Sequence, residues 1–259
     1  MINYEVALGQ FEIFVLILIR MASFVYVAPF FNTANTPRRV KVGLAFFMTV
    51  LVYTSNIGIE VHYEGVIEYI AFIVKETVVG LILGATASFC VQIIMFAGKI
   101  IDMDTGLAMA QIMDPTTRMQ IGIFTNFYYY LILLLLMISG LHRYLVAAIV
   151  ETYKVIPVGG AVFSASIHTD IVSFMSDYFI YGFRIALPIF ATTLLVNVVL
   201  AILARVAPQM NMFVVGMQLK IFTGIFVIFF TIVMLPSVST MIENVIRTLM
   251  ASLVRGMSP

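Results

Sequence analysis

The stretch from Val66 to Phe96 reads VIEYIAFIVKETVVGLILGATASFCVQIIMF and decides the fold class. Apolar side chains fill most of its 31 residues, and only a few polar ones such as Lys75 and Glu76 interrupt them. At about 1.5 Å per residue, such a helix is about 46 Å long, whereas the hydrocarbon core of a bilayer is about 30 Å thick. We therefore expect a membrane helix that tilts strongly or projects beyond the bilayer.

The composition extends this expectation to the whole chain. Its 259 residues are 62% hydrophobic and 10% charged, with a mean hydropathy of +1.09. Soluble domains are roughly 45–50% apolar and about 25% charged. The net charge of +1 gives no electrostatic reason to expect a nucleic-acid partner. We predict an all-α integral membrane protein with six long apolar helical segments: Phe11–Phe31, Val42–Ile59, Val66–Phe96, Ile121–Ile138, Ile185–Ala204 and Phe213–Leu235.

The chain after Pro236 has a different pattern, because its apolar residues recur at the spacing of one helix face. This pattern predicts an amphipathic C-terminal helix that lies on a membrane surface or against a partner. Basic residues cluster in the first loop, at Arg38, Arg39 and Lys41, and the second loop has none. The positive-inside rule therefore assigns the first loop to the cytoplasm.

Motifs of common enzymes are missing from the sequence. It has no Gly-Lys-Ser/Thr phosphate loop, no His-Glu-x-x-His, no Cys-x-x-Cys and no Gly-x-Ser-x-Gly. The three histidines are scattered, and the single cysteine, Cys90, lies in an apolar run. We therefore predict no catalytic residue, no metal site and no cofactor.

Charged residues inside the apolar segments are a stronger signal. A charge at the centre of a spanning helix costs about 2.5–3.5 kcal/mol on insertion scales, so each should face protein or water and find a partner. The group could form a proton or ion path, or it could form ion pairs that fix helix packing within the chain or between subunits. Packing is favoured because Glu76 is the one deep carboxylate. The residues concerned are Arg20, Lys75, Glu76, Arg184 and Lys220.

Small residues recur every fourth position in the third segment, at Gly80, Gly84 and Ser88. Such a face lets two helix backbones approach closely. We therefore expect another helix to cross the third segment there.

The stretch from Gly106 to Gln120, GLAMAQIMDPTTRMQ, starts like a membrane helix and then turns. Gly106 allows the chain to leave a helix, and Asp114-Pro115 suits a turn or a helix start. Its three methionines are flexible thioethers that can fill irregular gaps. These residues fit either a tight interhelical loop or an adaptable seal.

Four long strings resemble the FliR family of flagellar export proteins. They are PRRVKVGLA (37–45), DMDTGLAMAQIMDPTTRMQ (102–120), GLHRYLVAAIVETYKVIPVGG (140–160) and ALPIFATTLLVNVVLAILARVAPQMNMFVVGMQLKI (186–221). Their order and spacing match the family over roughly residues 11 to 235. The family also has an injectisome counterpart, but the string ARVAPQMNMFVVG is more typical of the flagellar branch.

The resemblance implies a core subunit of the type III export gate, which exports unfolded flagellar proteins across the bacterial inner membrane at the flagellar basal body. Its partners there are FliP- and FliQ-type subunits, an FlhB-type switch protein and membrane lipid. Residues 1–178 would form a P-subunit-like half that includes the plug segment, and residues 179–259 a Q-subunit-like hairpin with the terminal helix. The helices would pack in a multi-subunit helical assembly, with much of their surface buried between subunits.

The resemblance also implies two sites. The segment 106–120 would be a plug in the channel, with Gly106, Met109, Met113, Asp114, Pro115, Arg118 and Met119 as its residues. The turn between the last two apolar segments would lie at the cytoplasmic entrance, through Arg205, Pro208, Gln209 and Asn211. One alternative is an injectisome homologue. The other is a stand-alone secondary transporter, which would need an internal repeat that the sequence does not show.

Overall fold

A computed structural model of the chain describes residues 4–33, 36–55, 63, 65–107 and 122–259. In these ranges it has eight α-helices, one 3-10 turn and no strand. The helices are α1 (Tyr4–Val27), α2 (Arg38–Thr54), α3 (Val66–Asp104), α4 (Ile123–Ile138), α5 (Leu141–Val155), α6 (Ala165–Val206), α7 (Met212–Thr231) and α8 (Leu235–Met257). The 3-10 turn, Ile232–Met234, joins α7 to α8.

Four stretches of helix are long and apolar enough to cross a membrane: Gly9–Val27, Val66–Asp104, Ala165–Val206 and Met212–Met257. Helices α4 and α5 meet the same criteria when they are taken together. The all-α membrane class is therefore confirmed. About six apolar segments and one amphipathic terminal helix were expected, and the described ranges contain eight α-helices.

Three helices differ from the prediction, two of them in length and one because it is additional. Helix α3 has 39 residues and α6 has 42, so both extend well past their predicted apolar cores. Helix α5 was not predicted at all, because its 15 residues are apolar on one face only. That face is buried through Leu141, Leu145 and Ile149, at a spacing of four residues.

The described helices contribute to two compact units. The first consists of Met1–Cys90, Gly140–Phe174 and Asn244–Pro259. In it, α1 packs against α3 where the small residues recur. A Cβ atom at Gly80 would lie 2.4 Å from the carbonyl oxygen of Arg20, and one at Gly84 would lie 2.9 Å from that of Phe24. The close helix approach that the sequence predicts is therefore confirmed at these two glycines.

The end of α8 also belongs to the first unit. Its apolar face is fully buried or nearly so, through Ile246, Met250, Leu253 and Met257. Two hydrogen bonds fix it: the hydroxyl of Ser252 donates to Asp170 (2.5 Å), and the amide of Val162 donates to the carbonyl of Met257 (3.1 Å). The predicted amphipathic helix is confirmed, but its placement on a membrane or a partner is wrong, because the chain itself covers this face.

The second unit consists of Val91–Ser139 and Met175–Glu243. It contains the hairpin in which the turn 207–211 joins α6 to α7. The rings of Tyr178, Phe179 and Phe183 lie 5.4–5.7 Å from the ring of Phe96 and pack α6 against the end of α3. The division into a P-like half and a Q-like hairpin concerns resemblance to other subunits, and it stays a prediction.

Candidate functional site

The segment that the sequence singled out leaves α3 at a defined point. Helix α3 ends at Asp104, and Gly106 adopts a left-handed conformation with φ of +82°. Its amide donates to the carbonyl of Met103 (3.2 Å), so the chain turns out of the helix there. The remaining predicted plug residues, Met109, Met113, Asp114, Pro115, Arg118 and Met119, lie outside the described residues.

Asp102 connects the two ends of this segment. Its side chain is 3% exposed, and its carboxylate accepts three hydrogen bonds from the start of α4. The donors are the amide of Phe124 (3.0 Å) and both the amide (3.0 Å) and the hydroxyl (2.5 Å) of Thr125. The N-cap residue Gly122 has no side chain to cap α4, so the cap comes from another helix.

Two glycines make room for this contact. A Cβ atom at Gly122 would lie 1.7 Å from Oδ2 of Asp102, and one at Gly98 would lie 2.5 Å from Cα of Thr125. Neither distance is compatible with a side chain, so α3 and α4 approach here because both positions are glycine. We call Gly98, Asp102, Gly122 and Thr125 the α3–α4 clamp.

Sequence reasoning missed this clamp. In the sequence, Asp102 stands out only as the first residue of the string DMDTGLAMAQIMDPTTRMQ, and no partner was predicted for it. A carboxylate in the last turn of a long helix opposes the helix dipole, so it needs donors from elsewhere. That mismatch could have indicated a partner for Asp102, but it could not have identified the amides of α4.

A cavity of about 300 Å³ lies beside the start of the segment. Gly106, Asn197 and Met217 line it together with two charged residues, Asp104 and Lys220. The carboxylate of Asp104 accepts a hydrogen bond from the hydroxyl of Thr193. Lys220 is half-buried, and it forms no salt bridge with any residue in the described ranges.

Arg20 and Glu76 form a salt bridge in the first unit, and both side chains are 0% exposed. The guanidinium donates from Nε to Oε2 (2.5 Å) and from Nη2 to Oε1 (2.9 Å) of the carboxylate. This two-point geometry is the strong form of an arginine–carboxylate contact. The ring of Tyr153 covers the guanidinium, with 4.1 Å between Cζ and the ring centroid.

Other groups use the remaining hydrogen-bonding capacity of the pair. Nη1 of the arginine donates to the hydroxyl of Thr152 (3.2 Å) and to the carbonyl of Ile156 (3.1 Å). The amide of Gly159 donates to Oε1 of the glutamate (2.8 Å). The neighbouring Lys75 is half-buried and donates to the carbonyl of Gly159 (3.2 Å). Buried and bonded in this way, the pair ties α1 and α3 to α5 and to the turn that follows it.

The other predicted site residues are more open. Arg184 is exposed and lines a second cavity of about 300 Å³ with Tyr128, Thr231 and Ser237. In the hairpin turn, the exposed residues are Arg205, Pro208, Gln209 and Asn211.

Asn211 caps α7, because its Oδ1 accepts hydrogen bonds from the amides of Phe213 (3.2 Å) and Val214 (3.5 Å). In the ranges that the structure describes, no three His, Cys, Asp or Glu side chains are grouped to hold a metal ion.

Comparison with known proteins gives one family. The family model described as "Bacterial export proteins, family 1" matches residues 11–246. The flagellar biosynthetic protein FliR of Bacillus subtilis (strain 168) is 31% identical over 219 residues, which is 82% of this chain and 82% of that protein. FliR of Escherichia coli (strain K12) is 28% identical over 80% of this chain and 79% of that protein. The surface presentation of antigens protein SpaR of Shigella sonnei is 27% identical over 82% of each chain.

Proposed function

The chain belongs to the FliR family of bacterial export proteins, and from this we propose that it is a core subunit of the flagellar type III export gate. Family membership makes it a membrane-embedded component of a flagellar or type III export apparatus. The finer proposal is that it helps to form and to seal the channel through which unfolded flagellar proteins cross the inner membrane at the basal body.

The sealing role is supported by the way in which segment 106–120 is anchored: the α3–α4 clamp joins the helix before it to the helix after it. Asp102 near the end of α3 is bonded to the first turn of α4, so the chain leaves and returns at nearly the same place. A gate for unfolded chains must block ions when shut and yield to side chains of many shapes. Methionine side chains suit that task, and non-helical backbone is tolerated at membrane depth where protein or a cavity surrounds it.

The proposed partners are FliP- and FliQ-type subunits, with an FlhB-type switch protein at the turn 205–211. Large apolar side chains on α6 and α7 support an assembly, because Leu195, Phe222 and Phe229 are 67–72% exposed. Such surfaces need lipid or other subunits as neighbours. Arg205 and Gln209 are exposed and could offer hydrogen bonds to a partner at the turn.

An injectisome export protein is the second candidate, favoured by the match to SpaR. The flagellar role is preferred because FliR proteins of several bacteria match, one of them at 31% identity. Complementation separates the two. The chain should restore motility to a strain without FliR, and it should fail to restore secretion to an injectisome strain without SpaR.

Deleting part of the plug tests the sealing role. Replacing residues 108–120 by a short Gly-Ser linker should leave assembly intact, because the clamp already holds the two ends together. The cell membrane should then leak ions, measured as a loss of membrane potential in cells that express the variant. As a matched control, the same Gly-Ser linker is inserted into the exposed turn at Pro208. Cells that express this variant should keep their membrane potential. A tight membrane around an assembled deletion variant would contradict the plug.

A further inference from the structure

We propose that the cavity beside Arg184 in the second unit binds the phosphate headgroup of an anionic phospholipid. Among the described residues that line this cavity, Arg184 alone carries a charge, and most of the others are apolar. The proposal goes beyond the export role and does not depend on a channel, because it needs only the membrane-embedded helices of this unit.

The first argument is an arginine without a counter-ion. Arg184 is exposed, and no carboxylate of the described residues lies within salt-bridge distance of its guanidinium. Its neighbours on α6 are large and apolar, since Phe183 is 55% and Leu187 is 58% exposed. A charge among the apolar side chains of a membrane helix needs an anion or water beside it. Phosphate pairs well with arginine, because two parallel N–H groups can each donate to a phosphate oxygen.

The second argument is the depth of the cavity in the membrane. The uncharged run Ile185–Ala204 of α6 begins directly after Arg184. At about 1.5 Å per residue this run is about 30 Å long, which is the thickness of the hydrocarbon core. After the turn 207–211 the chain runs back through α7, and the apolar run of that helix ends at Leu235, which lines the same cavity. The cavity therefore lies at an edge of the hydrocarbon core, where lipid headgroups are found.

The third argument is the combination of polar and apolar groups around the cavity. Hydroxyl groups of Tyr128, Thr231 and Ser237 line it. Ser237 is exposed, and its hydroxyl donates to the carbonyl of Met234 (2.6 Å), a bond that a phosphate oxygen can replace. The adjacent Val233 and Met234 are 80% and 56% exposed and offer apolar surface to an acyl chain. A free phosphate ion would gain nothing from that surface, so the site is assigned to a lipid.

The test measures lipid preference at the cavity itself. Val233→Cys places a thiol beside the cavity for a bimane label, while Cys90 is 0% exposed and stays unlabelled. The full chain, with any subunits that purify with it, is reconstituted into vesicles of phosphatidylcholine and phosphatidylglycerol. Bromine atoms on the acyl chains of one lipid or the other quench the bimane, so the two quenching curves give the relative affinities. We expect phosphatidylglycerol to be preferred about tenfold, the effect of one charge-assisted contact.

Matched variants locate the preference. A second reporter, Leu195→Cys, is 67% exposed within the apolar run of α6 and should show no preference. Arg184→Gln should remove the preference at position 233. Arg184→Lys should keep part of it, because lysine retains the charge but not the two parallel N–H groups. Arg205→Gln removes an exposed arginine at the other end of the same run and should change nothing.

Ser237 provides a second, independent pair of variants. The carboxylate of Ser237→Glu would lie in the cavity and compete with the phosphate for Arg184, so the preference should fall as it does in Arg184→Gln. Ser237→Thr keeps the hydroxyl and should keep the preference.

Three results would overturn the proposal. The first is equal quenching by the two lipids at position 233 while Arg184 is in place. The second is no quenching there by either lipid while the Leu195→Cys reporter is quenched, because protein rather than lipid would then cover the cavity. The third is loss of the preference when inorganic phosphate is added, since the cavity would then bind free phosphate. None of these results bears on complementation of motility, which tests the export role separately.

Discussion

Breaking the buried ion pair should destabilise the chain more than any other single change of charge. Glu76→Gln keeps the shape of the side chain but removes its charge, and Arg20 then lies 0% exposed without a counter-ion. The glutamate accepts two bonds from Arg20 and one from the amide of Gly159, so the substitution disturbs three contacts between α3, α1 and the turn after α5.

The expected magnitude follows from burial. Removing one partner of a buried ion pair costs about 3–5 kcal/mol, because the remaining charge is left without compensation. In a chain of this size that loss lowers the melting temperature by roughly 6–20 °C. Arg20→Met together with Glu76→Gln removes the stranded charge, so the double variant should recover about half of the loss or more.

Cys90 provides the assay. It is the single cysteine of the chain, and its side chain is 0% exposed, so it is shielded from reagents while the protein is folded. Membranes that contain the tagged chain are solubilised in detergent, heated in steps and treated with a polyethylene-glycol maleimide. The fraction of the chain that shifts on a denaturing gel then reports unfolding of this chain alone.

Lys75→Met is the matched control, since it removes a charge from the adjacent position, where the side chain is half-buried and donates one hydrogen bond. It should cost about 1 kcal/mol, a few degrees at most. Equal melting temperatures for Glu76→Gln and wild type would refute the account of the pair. A double variant less stable than both single ones would refute the claim that the stranded charge is the cause.

Two further predictions concern packing and capping. Gly80→Ala should destabilise the contact between α1 and α3, because its Cβ would lie 2.4 Å from the carbonyl oxygen of Arg20; Gly43→Ala, where nothing lies within 4 Å, should be neutral or stabilising, and the gel-shift assay measures both. Asn211→Ala should cost about 1 kcal/mol because α7 loses its N-cap, whereas Asn211→Asp should not; melting of the two variants side by side checks this.

Helices that are apolar on all sides could be predicted from the sequence, and amphipathic ones were harder to find. The long apolar runs within α3 and α7 are visible because a continuous run of apolar residues can be recognised without knowing which helices pack around it. Helix α5 was missed because only one of its faces is apolar, and a search for 20-residue apolar stretches averages that face with the polar one. The first half of α6 was missed because polar residues such as His168, Asp170 and Asp177 interrupt its apolar residues.

The residues of the candidate site also differ in how far they could be predicted from the sequence. Arg20 and Glu76 could be recognised as charges that need partners, since their cost in an apolar segment depends on each residue alone. Their pairing spans 56 positions, and several of the surrounding donors and acceptors are backbone groups. Asp102 was overlooked because two of its three donors are backbone amides, which every residue carries and no sequence pattern marks.

The central claim is that this chain works as one subunit of a multi-subunit export gate. Purifying it through a tag from flagellated cells and imaging the particle by electron microscopy tests that claim most directly. We expect a large assembly in which other apolar subunits cover α6 and α7 and residues 106–120 cross the channel axis. A monomeric particle from cells that export flagellar proteins normally would contradict it.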